Sequence, residues 1–155
     1  MISFTKTYWD RILKPIRDII RVEFGQQLNV YIHPEYQEMT TQSVRLYLES
    51  SRMVEELSNG QVRECDVEIS FYFRYPKTTN PSQTENVTER MFTDVDRLQQ
   101  LLFNNRNYEV SGDRYFFNGT IDDIVVNSKK SDEANIDNLQ VVRFDFTCQT
   151  LMNIS

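Results

Sequence analysis

The stretch VRECDVEISFYFRY, residues 62–75, alternates between two sets of side chains. One set is mostly apolar and includes Cys65, Ile69 and Phe71, whereas the other is mostly polar and includes Asp66 and Glu68. A period of two indicates a β-strand with one buried face and one wet face, in a register that a slip of one residue would invert. At about 3.3 Å per residue the strand is ~45 Å long, well beyond the usual length. We therefore expect its far end to project as a hairpin arm.

Length and composition favour one globular domain that spans residues 1–155. Hydrophobic residues make up 39% of the chain and charged residues 26%. No apolar run approaches the roughly 18 residues that a membrane helix needs. Residues 1–8 lack the basic and apolar regions of a secretory signal, which predicts a cytosolic protein.

The net charge of −6 argues against a generic nucleic-acid-binding surface, which would show a basic stripe. It does not argue against a protein past which DNA slides. An acidic wall would suit that task, because it repels phosphate.

Hydrophobic periodicity predicts two helices and several strands. The first helix spans residues 7–24, with Thr7 and Asp10 at capping-box spacing and Pro15 as a kink or a first-turn residue. The strands are expected at 28–32, 43–48, 62–75 and 142–148, and also within 108–126, where a turn at 111–113 and a break at 118–119 interrupt the pattern. This order predicts the α+β class, with a largely antiparallel sheet, a long central strand and two main helices packed on one face.

Two polar segments, residues 76–84 and 128–138, are predicted to be exposed loops. The second helix begins at a cap, Ser82 or Thr84, and runs to about residue 105. Residues 52–57 fit either a helical turn or a continuing strand.

The acidic residues are the main candidates for catalysis. Asp66 and Glu68, with Asp122 and Asp123, resemble the strand-borne carboxylates of two-metal nucleases. Those folds usually add a lysine on the same strand, and this strand contains none. His33, the one histidine, has no further histidine or cysteine at ligand spacing, and the four glycines form no phosphate-binding or nucleophile-elbow motif. We therefore expect no enzyme, no cofactor and no metal, and a polar strand face that is solvated or faces another subunit.

The two cysteines, Cys65 and Cys148, both lie on the apolar side of a predicted strand. Cysteine is among the most buried residue types, and neither residue has a CxxC partner, so two buried free thiols are expected. A disulfide would require that the two strands be neighbours, and a cytosolic compartment opposes it.

The order of elements carries a resemblance. An opening helix contains Trp9 and a Pro-Ile-Arg step at 15–17, the long strand ends in FYFRYP (71–76), and the chain closes on VVRFDFTCQT (141–150). The second helix, with Val87, Met91 and Leu98, lies between them. In order, size and acidity the whole chain resembles the tail-terminator, or tail-completion, proteins of tailed bacteriophages.

Proteins of that family form hexameric rings that cap the tail tube and provide the surface on which the head connector docks. The resemblance implies a homo-oligomer, expected to be a hexamer, whose partners are the tail-tube protein and the head–tail connector. Genomic DNA would pass through the ring without specific binding, and no membrane would be involved. The protein would assemble in the host cytoplasm and reside in the neck of the virion.

A closed ring needs two different contact patches on each subunit, such as a sheet edge or an arm and the surface that receives it. No set of family residues aligns with this chain, so the candidate assembly contacts are chosen from the long strand, the two loops and the first helix. They are Trp9, Tyr72, Arg74, Pro76, Lys77, Asn80, Lys129 and Lys130. The alternatives are another phage structural component, either a tail-tube subunit or a head-completion or connector protein, and, less in keeping with the pattern, a small metal-dependent nuclease.

Overall fold

The alternating stretch forms the centre of a six-stranded sheet. A computed structural model of the protein describes residues 4–38, 42–76, 80–131 and 133–153. A π-helical segment, Tyr8–Leu13, leads directly into the first α-helix, and a 3-10 turn follows it at Gly25–Gln27. The remaining elements are α1 (Lys14–Phe24), β1 (Asn29–Ile32), β2 (Ser43–Leu57), β3 (Gly60–Arg74), α2 (Pro81–Asn104), β4 (Tyr108–Val110), β5 (Asp113–Val126) and β6 (Leu139–Asn153).

The strand order is β1-β2-β3-β6-β5-β4, and every pairing is antiparallel except that of β1 with β2. β3 lies between β2 and β6, and its ladder with β6 continues from Gly60 to Arg74 without a register shift. The predicted class is confirmed: the fold is α+β, with a largely antiparallel sheet, a long central strand and two helices on one face.

The apolar residues of β3 face the helices and form the main core. Ile69 and Phe71 are 0% and 1% exposed, and Ile16 of α1 and Leu98 of α2 are equally buried in the same cluster. Full burial of each such side chain stabilises the fold by about 1.5–3 kcal/mol. A register slip would expose several of these side chains at once and remove their contributions together. The predicted register of the strand is confirmed.

The first helix covers the predicted residues, but its start differs from the prediction. The side chain of Thr7 makes no capping hydrogen bond, and the amide of Lys14 bonds to the carbonyl of Trp9, five residues back. Pro15 has no amide hydrogen to give to the carbonyl of Arg11, which breaks the normal four-residue pattern at this point. The wider π-helical turns come just before the proline, and regular α-helix follows it.

The second helix begins earlier than predicted. Asn80 is its cap, because its side chain accepts a hydrogen bond from the amide of Ser82. Pro81 occupies the first turn, where its missing amide hydrogen costs nothing. The predicted caps, Ser82 and Thr84, therefore lie inside the helix. The exposed loop predicted at 76–84 is correspondingly shorter, and its residues 77–79 fall outside the described residues.

The ambiguous residues 52–57 continue β2 as a strand, with bulges after Leu48 and after Met53. At this end β2, β3 and β6 continue together to the turn between Leu57 and Gly60. We call these three segments (52–57, 60–64 and 149–153) the arm. Most of its residues are exposed or half-buried.

Replacing Phe71 with alanine should lower the free energy of unfolding by about 3–5 kcal/mol, because lost burial adds to the cost of an unfilled cavity. Phe103→Ala is the matched control: Phe103 is 60% exposed, so the change should stay within about 0.5–1 kcal/mol. Urea denaturation measures both. A larger loss for Phe103 than for Phe71 would contradict the assignment of Phe71 to the core and of Phe103 to the exposed side of α2.

Candidate assembly surfaces and a buried ionic network

The face of the sheet opposite the helices carries a buried network of charges. Glu68 of β3 accepts from both neighbouring strands: Arg45 of β2 bonds to its Oε1, and Arg143 of β6 places Nη1 2.6 Å from the same oxygen. Lys130 adds a third cation, with Nζ 2.8 Å from Oε1. The register places Arg45 and Arg143 opposite Ser70 on its two sides, one rung from Glu68. A buried carboxylate is tolerated only with such partners.

The pKa of Glu68 reflects this environment. Burial alone would raise the pKa, because it disfavours the charged form. Hydrogen bonds from Lys130 and Glu49, together with the charges of Arg143 and Arg45, outweigh burial and hold the pKa of Glu68 at about 2. The carboxylate is therefore ionised at neutral pH.

A second carboxylate enters the network from the segment between β5 and β6, residues 128–138, which we call the strap. Glu133 is 1% exposed and accepts from Arg143 and from the hydroxyl of Tyr72, whose Oη lies 2.8 Å from its Oε2. Arg45 also donates to that hydroxyl, over 3.0 Å. Burial, with Glu133 as acceptor, raises the pKa of Tyr72 to about 12 against the opposing effect of Arg45.

The strap packs on the sheet through apolar side chains as well. Tyr72, Leu139 and Val141 form a small second core against which Ile136 and Tyr36 pack, and the rings of Tyr36 and Tyr72 lie 4.4 Å apart. One prediction is corrected here: the polar face of β3 is not solvated at Glu68, Ser70 and Tyr72. The predicted exposure of 128–138 holds for most of its described residues, although Glu133 and Ile136 pack against the sheet.

Two edges of the sheet are open along part of their length. β1 pairs with β2 only from Ser43 to Leu46, so in the described ranges no strand lies beside the outer edge of β2 from Tyr47 to Leu57. On the far side, β4 pairs with β5 only up to Phe116, and the amide of Gly119 bonds to the loop after α2. Beyond that point β5 pairs with β6 on its inner side, and the described residues place no strand against its outer edge.

The two edges have compatible directions. β2 and β5 are separated by three antiparallel steps, so they run antiparallel to each other within one subunit. Two copies placed side by side in the same orientation could therefore join β5 of one to β2 of the next as a regular antiparallel pair. Exposed apolar side chains lie along both strands: Met53 and Val54 on β2, and Val125 and Val126 on β5.

The candidate contact residues separate into three groups. Tyr72 is 2% exposed and has its partners within the subunit, so its side chain offers no surface to a neighbour. Asn80 and Lys130 also have internal roles, as the cap of α2 and as a partner of Glu68, but both remain exposed. Their roles in assembly, like those of the other candidates, stay predictions.

Of the other candidates, Pro76 and Lys129 come together in a cleft of about 770 Å³ between α2 and the end of β5. Arg74 is exposed and pairs with Glu38. Trp9 lies on the first helix, 43% exposed, with the guanidinium of Arg17 6.0 Å from its ring. Lys77 is outside the described residues.

Three of the four predicted carboxylates, Asp66, Glu68 and Asp122, line a small cavity of about 310 Å³ together with Glu49 and Asp145. The fourth, Asp123, is opposite Asp145 in the ladder of β5 with β6. The hydroxyl of Thr147 lies within hydrogen-bonding distance of both Asp66 and Asp122. Burial and the surrounding carboxylates raise the pKa of Asp145. Among the described residues no group of three or more His, Cys, Asp or Glu side chains is arranged to hold a metal ion.

Comparison with known proteins gives a weak structural likeness. The chain is similar to a chain in the virion of a native gene transfer agent (GTA) particle, at 10% sequence identity and a TM-score of 0.35, with 92% of this chain and 88% of that chain covered. No protein-family model and no curated protein matches the sequence. Within the described ranges, neither helix is long and apolar enough to cross a bilayer. Similarity at this level carries no functional argument, so function has to be inferred from the geometry of the subunit.

Replacing Glu68 with glutamine should lower the free energy of unfolding at pH 7 by about 3 kcal/mol, because two buried arginines lose their charged partner. Since the folded pKa lies below the ordinary 4.5, the ionised carboxylate stabilises the fold above pH 4.5, and this stabilisation is lost as the pH falls towards 2. The difference in the free energy of unfolding between wild type and variant should therefore become smaller at acidic pH. Urea denaturation at several pH values measures it.

Glu64→Gln is the matched control for that experiment. Glu64 lies on the same face of β3 and pairs with Arg52, whose side chain is 70% exposed, so its loss should cost less than about 1 kcal/mol. Equal effects of the two variants at pH 7 would contradict the buried network.

Proposed function

We propose that this protein is the ring-forming tail terminator of a tailed phage or related particle. Its ring would close the tail tube and receive the head–tail connector, in the neck of the virion. The proposal depends on the two open edges at opposite sides of one sheet. Their edge strands, β2 and β5, run antiparallel to each other. Two such edges would form a head-to-tail interface, which generates a closed ring if the rotation between subunits closes. The ring is proposed to contain six subunits and to assemble in the host cytoplasm.

Edge pairing suits a structural component because backbone hydrogen bonds supply the contact and side chains select the partner. The bulges and charges along the outer edge of β2 restrict this pairing. Arg52, Glu55 and Glu56 are all exposed there, and charged side chains and bulges are how natural proteins prevent indiscriminate edge contacts. Only a partner with a matching edge would pair, which favours a second copy of the chain.

The face opposite the helices would suit a channel through which DNA passes without specific binding. Next to the ionic network this face carries exposed or half-buried acids, among them Asp66, Asp122, Asp123 and Asp145. Like charge repels the phosphate backbone over a distance comparable to the Debye length, about 8 Å at physiological salt. A wall of this kind would hold DNA away from the subunits.

Electron microscopy of the protein, alone and mixed with tail tubes of its own particle, tests the proposed function. Density confined to one end of each tube is the expected result. Tubes that grow from the protein itself would instead identify a tube subunit, and binding only to the connector would identify a head-completion protein. Metal-dependent DNA cleavage that Asp66→Asn abolishes would overturn the structural role.

The edge contact can be tested by substitutions that leave the core untouched. Val54→Arg on β2 and Val125→Arg on β5 each add a charge where the side chain is nearly half exposed, so each should fold and yet fail to form rings. Val22→Arg is the matched control, since Val22 is 85% exposed on α1, away from both edges. Sedimentation velocity measures assembly with tube ends present.

Mixing the two edge variants gives a sharper result. The Val54→Arg variant keeps an intact β5 edge, and the Val125→Arg variant keeps an intact β2 edge. An equimolar mixture should therefore form dimers that contain one copy of each variant, and no rings. A mixture that stays monomeric, or rings formed by either variant alone, would contradict the pairing of β5 with β2.

A further inference from the structure

The two cysteines are direct partners across the central pair of strands. Cys65 of β3 and Cys148 of β6 are opposite each other in the antiparallel register. Both are free, 0% exposed and part of the main core. The condition that a disulfide between them requires, neighbouring strands, is therefore met.

The spacing of an antiparallel ladder fits a disulfide. Residues directly opposite each other have Cα atoms about 4.5 or 5.5 Å apart, depending on whether the pair is hydrogen-bonded. Disulfides span Cα distances of about 4.4–6.8 Å, so the Cα spacing of either kind of pair lies within the range of a disulfide. The ladder has no register shift along its length, which keeps the two thiols together on one face.

We propose that Cys65 and Cys148 are a latent redox site that forms an intramolecular disulfide when the protein meets a small disulfide oxidant such as oxidised glutathione. The thiolate of one cysteine attacks the oxidant and releases one reduced glutathione, leaving a mixed disulfide. The second thiolate then attacks the protein sulfur of that bond and releases the second glutathione. Two electrons pass from the cysteine pair to the oxidant, and the two thiol protons end on the two reduced glutathiones.

The start of the first helix lies close to Cys65. The hydroxyl of Ser51 lies 3.0 Å from the hydroxyl of Tyr8 and 3.9 Å from Sγ of Cys65, so Ser51 links the π-helical segment to this thiol. Burial raises the pKa of both thiols, so little thiolate exists at neutral pH. Oxidation of the closed protein should therefore be slow, and it should accelerate when this segment opens or when the pH rises.

The disulfide would join two central strands that are distant in sequence. It closes a loop of more than half of the chain, which strongly restricts the unfolded state. A particle that assembles in a reducing cytosol and later enters an oxidising medium would gain this cross-link after assembly. The inference rests on the register of β3 and β6 alone, so it stands or falls independently of the tail-terminator proposal.

The test is incubation of the purified protein in a buffer of reduced and oxidised glutathione at about pH 8.5, without urea and in urea just below the unfolding transition. Intact-mass spectrometry should show the loss of two hydrogens, and a non-reducing digest should yield a Cys65–Cys148 peptide pair. The urea midpoint of the oxidised protein should rise by about 1 M or more, and dithiothreitol should reverse the change.

Cys65→Ala and Cys148→Ala are the matched controls, since each keeps the site apolar and leaves one thiol. Neither should lose hydrogens within one chain, and neither should change its midpoint between the two buffers. Stable glutathione adducts on the wild type, disulfide-linked dimers, or no oxidation even near the transition would each overturn the proposal. A disulfide that lowers the midpoint would also overturn it, because the register would then not accommodate the bond.

Discussion

The charge of Glu68 can be buried only where two arginines reach it, and this requirement fixes how the strands lie. Arg45 and Arg143 come from the strands on either side of β3, so one carboxylate holds three strands in a single relative position. The same register places Phe71 and Ile69 under the helices. Because successive side chains of a strand alternate between faces, one slip would unpair the charges and expose the core together. The ionic network on one face of the sheet and the apolar core on the other therefore require the same strand register.

Buried charge of this kind is weak evidence for net stability, since desolvation offsets most of the attraction. Its stronger effect here is to select which segment packs on this face of the sheet. An apolar patch in place of Glu68 and Arg143 could accept many partners, whereas the guanidinium of Arg143 requires both Glu68 and Glu133. The strap is thereby directed to one position on the sheet, with Ile136 and Tyr36 completing the cover around Tyr72.

Much of the fold could be predicted from the sequence, because periodicity reports directly on burial. The alternation in 62–75 and the helical spacing of Ile12, Ile16 and Ile20 each correspond to one buried face. The network could not be found in this way. Glu133 lies in a run of charged residues without a pattern, and its partner Arg143 occupies an alternating position that suits a solvated face equally well. The sequence held one indication of the network. Polar positions of β2 and β6 carry Arg45 and Arg143, and a polar position of β3 carries Glu68. That these side chains meet is shown only by the pairing of the three strands. The open edges are likewise a property of strand order, which local sequence does not encode.

The strap has a further consequence for the shape of the subunit. Where it lies, the molecule has three layers, with helices, sheet and strap stacked on one another, whereas the arm at the opposite end consists of the sheet with little covering it. The body is therefore tapered along the direction of its strands. Any ring built from such bodies standing side by side has a thick rim and a thin rim, so its two ends differ in form as well as in chemistry. The proposed joint between tail tube and connector would need this polarity, and each subunit would supply it before any partner binds.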